Sequence, residues 1–337
     1  MPGSIPKIIL SKSFKDFYLS GSKYFSKNTF FISLLVFVFA IAYILTSIES
    51  QKNLISLIAK DFSTTIIPYF ILIILLQFVN WTLEALKFYF LLADSKNLSF
   101  NQVLKSVYVG NLTAIVTPKR LGNFIGRNWI LKDKAQKVTI STISGNFYQL
   151  FITIIMAFCS FLYLYFFKTQ FLLELKYYFL LLVFFYLFLL FLIGYTIFNN
   201  NWYPIVNKLK LVKYFNISTD HLNSISSFKR IKVLFFAMSR YWIFIFQYYL
   251  LIKGFNITVD FLDLIILVGL LFGTVTFLPS FAPGNLGTRE ALSIFILGGS
   301  ALGIKFALVS FLVWSVNVAF SALIGAGLLF TSKTIKW

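Results

Sequence analysis

The stretch Pro283-Gly-Asn-Leu-Gly-Thr-Arg-Glu290 interrupts a long apolar region with a proline, two glycines and a charged pair. Lipid cannot satisfy the hydrogen bonds of broken backbone, so such a stretch must be buried in protein or line a water-filled cavity. An ionisable pair at that depth is a candidate for function. This stretch therefore constrains the fold more than any other feature of the chain.

A related stretch occurs earlier, at Pro118-Lys-Arg-Leu-Gly-Asn-Phe-Ile-Gly-Arg127. Both stretches read Pro-x-x-Leu-Gly, and their prolines are 165 residues apart (283 − 118). We predict that they form the tips of two related membrane hairpins, at 117–127 and 282–290. A substrate would meet the protein between the two tips.

The composition identifies the broad class of protein. Of the 337 residues, 59% are hydrophobic and only 12% are charged, which is typical of a polytopic membrane protein. Two apolar arms, at about 103–116 and 261–278, flank the tips, and the first has too few residues for a comfortable crossing. If the second arm crossed fully instead, the segment 288–297 would be far too short to return across the bilayer. Six other runs are long enough to cross a bilayer: Thr29–Ile48, Ile66–Leu92, Val138–Phe167, Tyr177–Phe198, Val233–Ile252 and Ile304–Phe330.

A shift of 165 residues superimposes most of the second half on the first. We therefore divide the chain into a basic tail (1–28), a first membrane repeat (29–170) and a second (171–337). Each repeat has three crossings, an odd number, so the second enters the membrane inverted, as in many transporters. The predicted fold is all-α, with two inverted repeats, about six full spans and two re-entrant helical hairpins, or about eight spans if the hairpin arms are counted.

Basic residues predict the orientation. With both termini in the cytoplasm, the inner segments hold 21 Lys and Arg and the outer segments hold 7. This bias favours a multi-pass membrane protein with cytoplasmic termini, and the expected location is the bacterial inner membrane. It also explains the net charge of +19 without nucleic acid, because the basic residues lie in loops beside spans.

The residues after each tip form a candidate anion site. A short helix is expected there, and its first N–H groups, with a glycine-rich approach, suit a phosphate. Arginine adds bidentate contacts, and glycine permits the turn and a close approach. The candidate substrate-binding residues are Pro118, Arg120, Gly122, Arg127, Pro283, Gly284, Gly287, Arg289 and Glu290.

Several of these features also have structural interpretations. Glu290 either caps its helix or takes part in binding or proton coupling. Glu84 and Lys87, one helical turn apart, form a structural ion pair or serve in coupling. Arg240 lies near the start of its span, and it either snorkels to the interface or serves as a structural or coupling charge. The Gly-x-x-x-Gly patterns at 122–126, 269–273 and 299–303 predict close helix packing.

Known enzyme chemistry has no signature in this sequence. The single cysteine, Cys159, lies in an apolar run, and the single histidine, His221, lies in a polar loop without co-ligands. We find no nucleophile elbow and no metal-ligand spacing. The sequence therefore predicts no catalytic residues, no metal and no cofactor.

The two tips resemble motifs of the lysylphosphatidylglycerol synthase transmembrane family, also called the flippase-like membrane domain family. The resemblance covers roughly Phe30 to Phe330. The stretch Pro283–Glu290 is similar to the family's Pro-Gly-Gly-x-Gly-x-x-Glu motif, with Asn285 at the third position. The earlier stretch is similar to its Pro-x-x-x-Gly-(Asp/Glu)-x-x-Arg element, with Asn123 in place of the acid and one residue added before Arg127.

Further positions match the family less closely. Lys87 stands where the family often has Arg. The third span of the family often begins with a Glu-Arg pair and a later Asp, and here Gly145, Asn146 and Gln149 occupy that neighbourhood.

The resemblance implies translocation of a lipid with a phosphate-containing, anionic headgroup between leaflets. The lipid is a phospholipid or is linked to polyprenyl phosphate. The rival hypothesis is a non-transporting subunit or scaffold for a lipid- or glycan-modifying membrane enzyme, and a homo-oligomer is compatible with both. Bifunctional relatives carry an aminoacyl-transfer domain after the membrane domain. The chain is not expected to contain one, so it should not be an enzyme itself.

Overall fold

The computed structural model describes residues 27–49, 66–92, 98–115, 117, 122–131, 135–167, 179–199, 222, 225–279, 282–297 and 300–331. Their regular secondary structure is helical throughout, without strands. A 3-10 turn (Pro283–Asn285) and a π-helical turn (Ser315–Phe320) interrupt the α-helices. The helices are α1 (Lys27–Glu49), α2 (Ile66–Leu91), α3 (Phe100–Ile115), α4 (Gly122–Ile130), α5 (Ala135–Phe167), α6 (Phe179–Asn199), α7 (Ser227–Gly254), α8 (Phe261–Phe277), α9 (Thr288–Ile296), α10 (Ala301–Trp314) and α11 (Ser321–Thr331).

Five helices of the described chain are long and apolar enough to cross a membrane: α2, α5, α6, α7 and the continuous helix formed by α10, the π-helical turn and α11. Each coincides with one of the six predicted spans, and α1 coincides with the remaining one. The protein is therefore an all-α, polytopic membrane protein, as predicted. The predicted hairpin arms are also helical, and the helices after the two tips, α4 and α9, have nine residues each.

The first helix–turn–helix unit, α3–α4, is closed by backbone contacts at glycines. A Cβ atom added at Gly122 would lie 1.9 Å from the carbonyl oxygen of Thr113, and one at Gly126 would lie 2.5 Å from that of Val109. The hydroxyl of Thr117 accepts the Gly122 N–H at 2.6 Å, which satisfies one donor at the start of α4. The pattern 122–126 therefore brings two helices into direct contact, as small residues do in membranes.

We expect Gly126→Ala to lower the stability of the folded protein by about 1–3 kcal/mol, because the new methyl group overpacks the α3–α4 contact. Gly327→Ala is the matched control, since a Cβ atom there meets nothing within 4 Å. Thermal unfolding of both variants in the same detergent measures the difference. Equal melting temperatures would show that the close approach is not needed.

Helices from the first and second parts of the chain pack against each other. The second helices of the halves, α2 and α7, run antiparallel, because Arg240 contacts Glu84 whereas Gln247 bonds to the carbonyl of Ile73. The first hairpin arm of each half packs against the last helix of the other, α3 on α11 and α8 on α5. The largest buried apolar cluster surrounds α7, which also contacts α5, α8 and α10. Polar residues of α2 and α7 therefore face each other in the interior.

Candidate functional site

The polar residues of α2 lie on one face of an otherwise apolar helix. Gln77, Asn80, Glu84 and Lys87 are spaced three, four and three residues apart, and all four are buried. This face packs against α7 and the neighbouring helices rather than against lipid. The sequence spacing therefore places a set of polar groups inside the helix bundle.

Three cations converge on the carboxylate of Glu84. Lys87 Nζ lies 2.6 Å from Glu84 Oε2, and Arg127 Nη2 lies 2.9 Å from Oε1. Arg240 Nη1 also contacts Oε2. The exposed fractions are 4% for Glu84, 1% for Lys87, 2% for Arg127 and 8% for Arg240. We call these four residues the cation cluster, because one carboxylate is shared by three positive side chains.

Further contacts fix the orientation of both guanidinium groups. Arg127 Nε donates to Asn123 Oδ1 at 2.9 Å, and its Cζ lies 4.4 Å from the centre of the Phe88 ring. Arg240 Nε donates to Asn80 Oδ1 at 2.9 Å. Cation–π and hydrogen-bond contacts of this kind hold a buried guanidinium in one rotamer. The protein itself therefore fixes the orientation of both guanidinium groups.

A chain of amide side chains extends the cluster toward the last helix. Asn80 Nδ2 donates to Asn317 Oδ1 at 2.9 Å, and Asn317 Nδ2 donates to Gln247 Oε1 at 2.8 Å. Asn317 belongs to the π-helical turn, and its carbonyl accepts the indole N–H of Trp81 at 3.0 Å. A π-helical turn changes the usual backbone hydrogen bonding, so this carbonyl can accept a hydrogen bond from a side chain of the neighbouring helix. The amides link α2, α7 and the last span.

The second tip is built on backbone that glycine and asparagine adopt most easily. Gly284, Asn285 and Gly287 have φ values of 62°, 61° and 81°. The turn that they form ends at α9. It also lies against α3, so the second tip meets the first hairpin arm of the other half.

Glu290 completes the start of α9. Its Oε2 accepts the Gly287 N–H at 2.6 Å, and its Oε1 accepts from Arg289 Nη2 at 2.6 Å. Arg289 Nη2 also lies 2.9 Å from the carbonyl oxygen of Ser310, whose hydroxyl is 2.8 Å from that of Tyr248. Both oxygens of Glu290 therefore have partners inside the protein. Glu290 caps the start of α9, which is one of the two interpretations that the sequence offered.

A groove of about 510 Å³ runs between α1 and the helices α9 and α10. Its wall includes Glu290 and Gly287, and the remaining side chains are apolar. Phe311 lines the groove and is itself exposed, so the groove reaches the outer surface of the bundle.

The structure assembles the predicted site residues into two groups. Arg127, Glu84, Lys87 and Arg240 form the cation cluster, and Gly284, Gly287, Arg289 and Glu290 form the second tip. The ion pair between Glu84 and Lys87 is present. Pro118, Arg120 and His221 lie outside the described residues, as does the side chain of Pro283.

Arg240 is buried on Glu84, so the prediction that it snorkels to the interface is wrong. Arg240 stays in the interior because the Glu84 carboxylate of α2 lies at the same depth in the bundle. Sequence reasoning also missed Asn80, Gln247 and Asn317. Polar residues at helical spacing within apolar spans were the available signal, as in the 77–80–84–87 face of α2.

Comparison with known proteins supports one family. A family model described as the lysylphosphatidylglycerol synthase TM region matches residues 30–325. No curated protein and no solved structure matches the chain. In the part of the chain that the structure describes, no group of three His, Cys, Asp or Glu side chains is arranged to hold a metal ion.

Proposed function

The chain belongs to the lysylphosphatidylglycerol synthase TM region family, and we propose that it moves a lipid with a phosphate-containing headgroup between membrane leaflets. The substrate class is a phospholipid or a polyprenyl-phosphate-linked lipid. The proposed setting is the bacterial inner membrane, with both termini in the cytoplasm.

The observation that carries this proposal is the excess of positive charge in the cation cluster. Three cations share one carboxylate, so its formal charge is +2 (3 − 1). Uncompensated charge inside a bilayer is costly, by roughly 2.5–3.5 kcal/mol for one residue on the lenient insertion scale. A phosphate would reduce that cost and would bind through charge-assisted hydrogen bonds.

The helix arrangement supports a transport mechanism. The antiparallel packing of α2 on α7 and the exchanged contacts of α3 with α11 and of α8 with α5 are what two inverted repeats require. In transporters of that class, the binding site lies where the repeats meet, and one repeat rocks against the other. The cation cluster uses both halves, with Glu84, Lys87 and Arg127 from the first and Arg240 from the second.

One observation favours the second candidate function, a non-transporting membrane subunit or scaffold. Glu290 is satisfied by Gly287 and Arg289, and Arg289 Nη2 also donates to the Ser310 carbonyl, although the buried Arg289 Nε has no hydrogen-bond partner among the described residues. The groove beside them includes neither Arg289 nor Arg127. A permanently paired tip of this kind suits a structural partner of a lipid- or glycan-modifying enzyme.

The variant Lys87→Gln tests whether the cation cluster acts in lipid transport or belongs to a non-transporting scaffold. It removes one cation from an over-positive cluster, so we expect the variant to fold with little loss of stability. We expect its transport of labelled phosphatidylglycerol in proteoliposomes to fall by roughly tenfold or more, since a hydrogen bond to a charged group contributes about 1.5–3 kcal/mol. The measurement is the rate at which labelled lipid becomes accessible to a membrane-impermeant quencher.

Two variants serve as controls for Lys87→Gln. Lys253→Gln removes an exposed lysine that lies over the Tyr249 ring, outside the cation cluster, and should transport normally. Lys87→Arg keeps the charge and should retain part of the activity. If the unchanged protein moves lipid no faster than protein-free vesicles do, the scaffold function replaces the transport function. Full transport by Lys87→Gln would refute the role of the cluster.

A further inference from the structure

The groove between α1 and the second tip is lined almost entirely by apolar side chains. Its volume, about 510 Å³, lies within the range of small-ligand sites. Phe37, Ile41 and Ile44 of α1 form one wall, and Ile294, Ala307 and Phe311 form much of the other. Because α1 and α10 are apolar helices of a membrane protein, hydrocarbon rather than water is the medium at the groove's outer side.

The single charged lining residue does not attract an anionic headgroup. Glu290 is negative, and both of its oxygens already accept hydrogen bonds from Gly287 and Arg289. No cationic side chain lines this groove in the described part of the protein. An occupant must therefore present a neutral, apolar segment to the groove, while any phosphate is drawn to positive charge elsewhere.

The first wall of the groove is α1, a helix that packs on the bundle with one of its sides. The main helix contact of α1 is with α9, and Tyr43 and Ile44 pack against the cluster of Ile294, Ile304 and Ala307. Leu35 and Phe39 are exposed on the opposite side of α1. One side of α1 therefore lines the groove, and the other side is exposed at the outer surface of the bundle.

Polar contacts link the groove to α7, the helix that carries Arg240 of the cation cluster. Glu290 pairs with Arg289, which donates to the Ser310 carbonyl. Ser310 also bonds to Tyr248, which lies on α7, the helix that carries Arg240. The groove and the cluster are therefore both in contact with residues that pack on α7 or belong to it.

We propose that this groove binds one hydrocarbon chain of the same anionic lipid whose phosphate binds at the cation cluster. The inference rests on the proposed function, and it adds the place where the apolar part of the substrate is held. The tail groove and the cationic site together would select a phosphate-bearing lipid over both a free phosphate and a neutral lipid.

A photo-crosslinking experiment tests the tail groove. The protein is reconstituted in phosphatidylcholine vesicles that contain phosphatidylglycerol with a diazirine on one acyl chain, or diacylglycerol with the same modified chain. Irradiation and peptide mass spectrometry locate the labelled residues. We expect phosphatidylglycerol to label α1 and α10 around Ile41 and Ala307 in clear excess over the lipid-exposed helix α6, and diacylglycerol to label them weakly.

A tryptophan variant and its matched control make the test specific. Ile41→Trp places a large ring in the groove, and displacing only a few methylene groups should reduce groove labelling by roughly tenfold. Leu35→Trp adds the same ring on the opposite side of the same helix, where Leu35 is 54% exposed, and should leave labelling unchanged.

Translocation is measured in the same vesicles, so two failures can be told apart. Translocation of phosphatidylglycerol without groove labelling would overturn the tail groove and leave the proposed function in place. Equal labelling by diacylglycerol, or unchanged labelling in Ile41→Trp, would also overturn it. Selective groove labelling by phosphatidylglycerol without translocation would refute transport but support the groove as a lipid-binding site.

Discussion

Glu84→Gln is expected to destabilise the folded protein by about 3–5 kcal/mol, because removing one partner of a buried ion pair leaves the other charge without compensation. Here the effect falls on three partners at once, since Lys87, Arg127 and Arg240 all contact the same carboxylate. The formal charge of the cluster would rise from +2 to +3. Thermal unfolding in detergent, and the yield of correctly inserted protein, measure the loss.

Two further variants distinguish this explanation from a general effect of neutralising an acid. Asp260→Asn neutralises an exposed carboxylate that makes no capping hydrogen bond, and should change stability by no more than about 0.5 kcal/mol. The double variant Glu84→Gln with Lys87→Gln removes the carboxylate and one of its cations together, and should recover part of the lost stability. A Glu84→Gln protein as stable as the unchanged one would show that Glu84 does not hold the cluster together.

Glu290→Gln is expected to have the second-largest effect. It removes the carboxylate that pairs with Arg289 at 2.6 Å and that accepts the Gly287 N–H at the start of α9. Breaking the buried pair costs about 3–5 kcal/mol, whereas the amide oxygen of glutamine can still accept the Gly287 N–H. We expect a large fall in melting temperature.

The complete double-mutant cycle at this pair tests its role. Arg289→Gln should also destabilise the protein, and the combination of both changes should be more stable than the sum of the single effects predicts. Arg289→Lys should recover only part, because an ammonium group is more strongly hydrated than a guanidinium and is therefore costlier to bury. If Arg289→Gln instead unfolds normally and abolishes lipid transport, Arg289 binds headgroup phosphate and its pairing with Glu290 is secondary.

The sequence by itself determined the class of protein, the spans and the tips. Hydrocarbon admits only helices of about twenty apolar residues, so the runs at 66–92 and 304–330 could be assigned before any tertiary contact was known. The glycines of 283–287 predicted a break in the helix, because few other residues adopt positive φ. The nine-residue helix α9 then begins at Thr288, as the predicted short arm requires.

Only the tertiary structure decided which charges meet. Glu84 pairs with Arg127, 43 residues along the chain, and with Arg240, 156 residues along. Helical periodicity predicts the face on which a residue lies and the neighbour one turn away, which is why the Glu84–Lys87 pair could be foreseen. It cannot predict the depth at which a second helix presents a partner. Arg240 remained in the interior for that reason, because the antiparallel packing of α7 on α2 placed a carboxylate within its reach and made snorkelling unnecessary.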